Sequence, residues 1–319
     1  MHEFEMIQTH FKQQNLARED VILGIGDDAA IVKIPPDQEL IITTDTLISG
    51  VHFPTNSIPF DIGYKALAVN LSDLAAMGAL PAWFTLALTL PKDDEHWLHD
   101  FSRGLFTLAN QFQMQLIGGD LTRGSLSITI QALGYLPKST ALRRDAAKSG
   151  DLIYVSGYLG DAGFALKILQ NKLHLPEHDQ HAILSRLNRP EPRIALGEKL
   201  RHIAHAAIDI SDGLVADLSH ILAASQVGAI VYVDQLPLSP LLKQALSLED
   251  AIALALTAGD DYELCFTIPQ KNKTACEKLL KEQHCTFACI GEITTANKLI
   301  LRYQHGRDYH GATTGYQHF

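Results

Sequence analysis

Six aspartates sit beside small or hydroxyl-bearing residues at the ends of apolar runs: Asp28 in Gly26-Asp27-Asp28, Asp45 in Thr43-Thr44-Asp45, Asp73 in Asn70-Leu71-Ser72-Asp73, Asp120 in Gly118-Gly119-Asp120, Asp209 in Asp209-Ile210-Ser211-Asp212 and Asp260 in Gly259-Asp260-Asp261. Taken singly, most of these segments also read as a plain turn or a helix cap. Gathered around one cleft, their charges would repel at a cost on the order of several kcal/mol. Divalent cations remove that conflict. Oxygen donors without a matching His or Cys set favour Mg²⁺ over zinc, and Mg²⁺ held by aspartates keeps waters and shares phosphate oxygens. The chemistry this pattern supports is phosphoryl transfer from a nucleotide. The chain contains neither a GxxxxGK[ST] loop nor the protein-kinase motif set, so neither of those architectures applies.

The carboxylates need rigid elements to hold them. The most informative is the run around Asp73, which reads as an apolar helix starting near Pro59 and Phe60, with Ser57 or Asp61 available to cap its first amides. Gly78 ends it and Pro81 blocks any continuation. Ala66, Val69, Leu71, Leu74, Ala75 and Met77 leave almost no polar face, which predicts burial around most of the circumference. Asp73 is the exception, with no Lys or Arg three or four residues away to pair with it.

Along the rest of the chain, residues 3–15 predict a short amphipathic helix with Phe4, Ile7 and Phe11 on one side. Strands are expected at 40–46, 81–90, 126–135, 151–155 and 227–233, and helices at 97–111, from Gly160 and from Leu214. If Asp27 and Asp28 lie in a strand, they point to opposite faces and only one enters any given site. Ser211 or Asp212 can cap the helix from Leu214, whereas Asp209 lies inside an apolar run that capping does not explain. The polar connection 137–150 carries Arg143, Arg144 and Lys148 and is the expected domain boundary, with Arg144 a candidate nucleotide contact. Residues 171–192 carry little signal.

A chain of 319 residues suits two domains, and 46% hydrophobic with 19% charged residues describes an ordinary globular protein. With 36 acidic against 26 basic side chains, a net charge of -10 argues against nucleic acid or an anionic membrane as the main partner. No apolar run reaches the length of a membrane span and the start has no secretory pattern, so a cytoplasmic location is expected. Cys265, Cys276, Cys285 and Cys289 form no CxxC pair and are expected to be reduced.

Taken in order, Gly26-Asp27-Asp28-Ala29-Ala30, Thr43-Thr44-Asp45, Gly50-Val51-His52-Phe53, Asn70 to Gly78, Gly118-Gly119-Asp120, Asp209 to Leu214, Asp261-Tyr262-Glu263-Leu264 and the terminus Gly315-Tyr316 through Phe319 resemble the thiamine-monophosphate kinase family. Its superfamily resembles aminoimidazole ribonucleotide synthetase and includes selenophosphate synthetase, whose early Cys or Sec position is not seen here, and a hydrogenase-maturation protein. The resemblance implies an α/β (mixed α+β) two-domain fold. Residues 1–137 would bind ATP and metal and form the dimer sheet or barrel, and residues 150–319 would complete the active site. It implies conversion of thiamine monophosphate and ATP to thiamine diphosphate and ADP by a homodimer with several Mg²⁺ ions. By the same resemblance Asp28, Thr43, Thr44, Asp45, Asp73, Asp120, Asp209 and Asp212 would bind magnesium. Gly119, Asp120, Arg144 and Ser211 would contact ATP, and His52, Asp260 and Tyr316 the thiamine phosphate. Catalysis would run through Asp28, Asp45, Asp73, Asp120 and Asp209 by way of the metal, with no general base. The family often has Gly-Glu-Asp-Tyr-Glu where this chain has Gly259-Asp260-Asp261-Tyr262-Glu263, and a Gly-containing turn where it has Asp145-Ala146-Ala147. A metal-dependent phosphatase, another ATP-using member of the superfamily and a non-catalytic nucleotide-binding dimer are the alternatives.

Overall fold

The computed structural model describes residues 3–12, 16–311 and 313–316. They form two units, Met1–Leu74 with Ala79–Ser139, and Ala75–Gly78 with Thr140–Phe319. The first opens with α1 (Glu3–Ile7), which passes into a π-helical turn at Gln8–Lys12. The helix expected over 3–15 therefore changes pitch half-way, and His10 and Phe11 are both buried in its π-helical turn. Residues 13–15 lie outside the described residues.

After α1 come β1 (Val21–Leu23), β2 (Ile31–Val32), β3 (Gln38–Ile48), α2 (Pro59–Met77), β4 (Leu80–Leu90), α3 (Glu95–Gln111), β5 (Gln115–Arg123) and β6 (Ser127–Pro137). The four long strands form a sheet in the order β3-β6-β4-β5, so β3 and β5 are its two edges. Alternation along β4 and β6 turns Phe84, Leu86, Leu88, Ile128, Ile130 and Ala132 to one buried face. α2 is buried nearly all round, with Ala66, Leu67, Ala68, Asn70, Leu71, Ser72 and Leu74 at 0% exposure. It meets α3 through glycines: a Cβ on Gly63 would fall 2.1 Å from the Phe101 carbonyl oxygen, and one on Gly104 would fall 1.9 Å from that of Phe60. Only two glycines allow the helix backbones so close.

On the other face of the sheet, the β1–β2 hairpin covers one end, where Val21, Ala30 and Val32 pack around Trp83 and Ile117, and the Trp83 indole donates to Asp20 at 3.0 Å. The other end is open, with Ile42 at 53% and Ile48 at 41% exposure.

The second unit contains β7 (Leu152–Ser156), α4 (Asp161–Leu169), α5 (Glu177–Asn188), α6 (Ile194–Leu200), β8 (Ala206–Asp209), α7 (Leu214–Ser225), β9 (Gly228–Tyr232), α8 (Pro240–Ala245), α9 (Leu248–Thr257), β10 (Leu264–Ile268), α10 (Lys273–Glu282), β11 (Phe287–Thr294) and β12 (Leu299–Arg302). Its sheet runs β12-β9-β11-β7-β10-β8, antiparallel except where β12 joins β9. Ile153, Val155, Cys265 and Ile208 share a core with α4, α7 and α9. On the other face Tyr154 stacks on Phe266 and donates to Glu277 of α10. α5 falls in the stretch from which the sequence predicted nothing; its amphipathic signal is two buried residues, Ile183 and Leu187. At the C-terminal end of α2 the Met77 and Gly78 carbonyls accept from the Leu142 N–H and the Arg201 guanidinium. All four cysteines are unpaired thiols.

Candidate active site

In the first unit the expected residues fall into two groups. In a strand Asp27 and Asp28 would point to opposite faces. Instead Gly26, at φ 128°, breaks the strand into a turn in which Asp27 accepts the Asp28 N–H at 2.8 Å. Both carboxylates then line one cavity of about 810 Å³, together with Gly118, Gly119 and Asp120 from β5 and with Phe4, Ile7, Phe11 and Lys12. That volume suits a nucleotide-sized ligand. Lys12 was not singled out from the sequence; its ammonium lies 3.2 Å from the point a Gly26 Cβ would occupy.

The second group is at the opposite edge of the sheet. The Thr43 hydroxyl on β3 donates to the Asp73 carboxylate on α2. Asp45 lies two residues further along the same face as Thr43, while Thr44 is on the other face and accepts from Gln131 at 3.3 Å. His52 accepts the Ile48 N–H on Nδ1 at 3.0 Å, which leaves the proton of the neutral ring on Nε2. Because β3 and β5 are separated by β6 and β4, Asp45 and Asp120 stand roughly 14 Å apart at three strand spacings. One chain does not bring those two carboxylates to one ion.

In the second unit Ser211, Asp212, Asp260 and Tyr316 are brought together by backbone bonds. Ser211 carbonyl accepts the Asp260 N–H at 2.9 Å, and Asp212 carbonyl accepts the Tyr316 N–H at 3.0 Å. Asp260 and Tyr262 both have positive φ, 69° and 49°, and the Tyr262 hydroxyl donates to Asp260 at 3.2 Å. Asp209 is 4% exposed at the end of β8, in register with Leu264. Arg144 lies elsewhere: its carbonyl accepts from Ser225 at the C-terminal end of α7, whereas Ser211 precedes the N-terminal end of that 12-residue helix, roughly 18 Å away. The residues Gln317–Phe319 of the expected terminal motif lie outside the described residues.

Neither Ser211 nor Asp212 caps α7 with its side chain. The N-cap is Gly213, and Asp217 supplies the acceptor from within the first turn. Its Oδ2 takes the N–H groups of Ser211, Asp212 and Gly213 at 3.0, 3.0 and 3.1 Å. Burial pushes the Asp217 carboxyl up to about 7 against the pull of those amides. Two neighbouring acids also have framework roles. Asp261 accepts the Gly160 and Ala162 N–H groups at 2.7 and 3.3 Å, holding the start of α4. Buried Glu263 accepts both Arg193 nitrogens at 2.7 and 2.6 Å and the Ser156 hydroxyl at 2.6 Å. Burial opposes the charge on Arg193, but the hydrogen bonds and charge of Glu263 outweigh it and raise its pKa.

Among the described residues no three His, Cys, Asp or Glu side chains are grouped as a ready cation site. The donors are nonetheless chemically suited to a hard ion: carboxylates and a hydroxyl, with Thr43 oxygen already against Asp73.

The chain matches the AIR synthase related protein N-terminal domain over residues 26–136 and the C-terminal domain over 148–304. It is 49% identical to thiamine-monophosphate kinase of Salmonella typhimurium over 318 residues, 99% of this chain and 98% of that protein. The crystal structure of thiamine-monophosphate kinase from Stenotrophomonas maltophilia superposes with a TM-score of 0.86 at 48% identity, covering 92% of this chain and 93% of that one. AaThiL complexed with AMPPCP and TMP gives 0.78 at 32% identity, covering 92% of each. With its two-domain, mixed α/β architecture of AIR synthase type, this chain belongs to the thiamine-monophosphate kinase family.

Proposed function

We propose that this protein transfers the γ-phosphoryl group of ATP directly to the phosphate of thiamine monophosphate, giving thiamine diphosphate and ADP. The observation that carries the reading is likeness over nearly the whole chain to thiamine-monophosphate kinases, supported by a relative solved with AMPPCP and TMP. The acceptor is a phosphate monoester with a second pKa near 6, so it is already nucleophilic at neutral pH and needs no general base. The chain's task is to position two anions and offset their charge.

In this reading the cavity beside Gly119 and Asp120 receives the nucleotide, with Phe4, Ile7 and Phe11 against apolar parts and Lys12 facing phosphate. Arg144 and Ser211 contact ATP in the second unit. His52 offers its Nε2 proton to the thiamine phosphate, with Asp260 and Tyr316 as the other substrate contacts. Asp28, Thr43, Thr44, Asp45, Asp73, Asp120, Asp209 and Asp212 would hold Mg²⁺. Bound there, the cation supplies charge neutralisation and a template for phosphate oxygens.

The active species in this reading is a homodimer. Its open sheet face, with Ile42 and Ile48 exposed, is covered by a second copy, and the β3 edge of one copy meets the β5 edge of the other. That arrangement brings Asp45 of one chain near Asp120 of its partner. The setting is the cytoplasm, consistent with four free thiols and with no described helix long and apolar enough to cross a membrane.

The test is incubation with ATP, MgCl₂ and thiamine monophosphate, with nucleotides and thiamine phosphates resolved by anion exchange. Thiamine diphosphate and ADP should appear in equal amounts. Release of inorganic phosphate without thiamine diphosphate would replace this reading with a phosphatase.

A further inference from the structure

The segment Ser211-Asp212-Gly213 before α7 has the form of an anion site: successive backbone N–H groups at the start of a 12-residue helix. The structure fills that position from within. Asp217 is 3% exposed, and its Oδ2 accepts all three N–H groups at 3.0 to 3.1 Å. The amides that a phosphate oxygen would seek are taken by a carboxylate oxygen of the same chain. The carbonyls of the same loop point to other partners: Ser211 to the Asp260 N–H and Asp212 to the Tyr316 N–H. A single side chain therefore fixes one loop on which two further segments are hung.

We propose that Asp217 is a positioning residue that acts as an internal stand-in for an anion. It closes the amide nest against phosphate, so that the loop meets its ligands through the Ser211 hydroxyl and the Asp212 carboxylate rather than through backbone N–H groups. This rests on the assignment of Ser211 and Asp212 to nucleotide and cation. It accounts for a feature capping does not explain: a Ser-Asp-Gly helix start whose own side chains make no cap. With the three amides already occupied by a carboxyl oxygen, phosphate finds no free N–H there, which suits a cation-mediated approach and opposes a direct one.

Two substitutions test it. Asp217→Ala opens the nest, and Asp217→Asn keeps its shape and one acceptor oxygen while removing the charge. With Asp217→Ala, the KM for ATP should rise about tenfold, the loss expected for a charged hydrogen-bonding anchor. Sodium sulfate should become a competitive inhibitor against ATP and should raise Tm relative to sodium chloride at equal ionic strength, because the freed amides bind it. Asp217→Asn should raise the KM for ATP by about threefold, since neutral hydrogen bonds are roughly half as strong as charge-assisted ones. The parent should show no sulfate competition and a smaller sulfate-over-chloride rise in Tm, the part that exclusion of sulfate gives any folded chain. A role confined to stability would lower Tm without creating sulfate competition. Parental KM for ATP with no sulfate response beyond the parent's in a folded Asp217→Ala protein overturns the proposal. If that variant does not fold, a parental KM in Asp217→Asn does so. Should the parent fail to phosphorylate thiamine monophosphate, the functional reading falls, while the sulfate-dependent Tm still tests the nest.

Discussion

The hydroxyl of Thr43 donates to the carboxylate of Asp73, joining edge strand β3 to the buried helix α2. Asp73 thereby has a neutral hydrogen-bonding partner on another element. That contact orients the carboxylate. Asp73→Asn should lower kcat by about a hundredfold or more, the scale of losing one preorganised electrostatic contact. The urea midpoint should stay close to the parent's. Thr43→Val should raise the Mg²⁺ concentration needed for half-maximal rate. An Asp73→Asn enzyme with parental kcat would make the residue structural.

Much of this framework was legible in local sequence. Pro59, the apolar run and Gly78 delimit α2 to within a residue, because capping and helix breaking are local effects. The aspartate segments were also visible, but their grouping was not. Asp45 and Asp120 look equivalent in sequence; only the strand order β3-β6-β4-β5 puts them at opposite edges. Asp217 left a faint signal, an acid in the first turn of a helix after Ser-Asp-Gly, which capping rules could have caught. Arg193 and Glu263 left none, being 70 residues apart.

The Arg193–Glu263 pair stabilises the second unit. Glu263 is 4% exposed and takes Arg193 and Ser156 together. Arg193→Ala would strand its charge in the interior and should cost about 3–5 kcal/mol. Denaturant unfolding followed by circular dichroism measures this directly. Arg193→Ala combined with Glu263→Gln should recover part of the loss, since the stranded charge is gone.

Asp261 makes stability depend on pH. Burial, with Asp161 and Glu263 adding like charge, pushes its carboxyl well above the usual carboxylate range despite the Gly160 and Ala162 amides. The folded chain thus binds a proton that the unfolded chain releases near pH 4. Its contribution is complete below that pH and is lost as pH rises through the folded value. Asp261→Asn should flatten the stability profile above pH 4, by up to about 1.4 kcal/mol per pH unit. Urea midpoints at half-unit pH steps check the slope; identical profiles would show that Asp261 ionises as an ordinary aspartate.

The separation of Asp45 from Asp120 sets the sharpest test of the homodimer. If each site takes Asp45 from one copy and Asp120 from the other, Asp45→Asn and Asp120→Asn should each be nearly inactive alone. Mixing them under conditions that exchange subunits gives half heterodimers at random assortment. By two-fold symmetry each heterodimer has one site carrying both substitutions and one carrying neither, so activity should recover to roughly a quarter of the parent's. If both carboxylates served a site within one chain, every site in the mixture would carry one substitution and no recovery would follow. Ile42→Lys, which places a charge on the open sheet face, should lower the sedimenting mass to that of a monomer and abolish the recovery. Recovery that persists in an Ile42→Lys background would move the shared surface to another face.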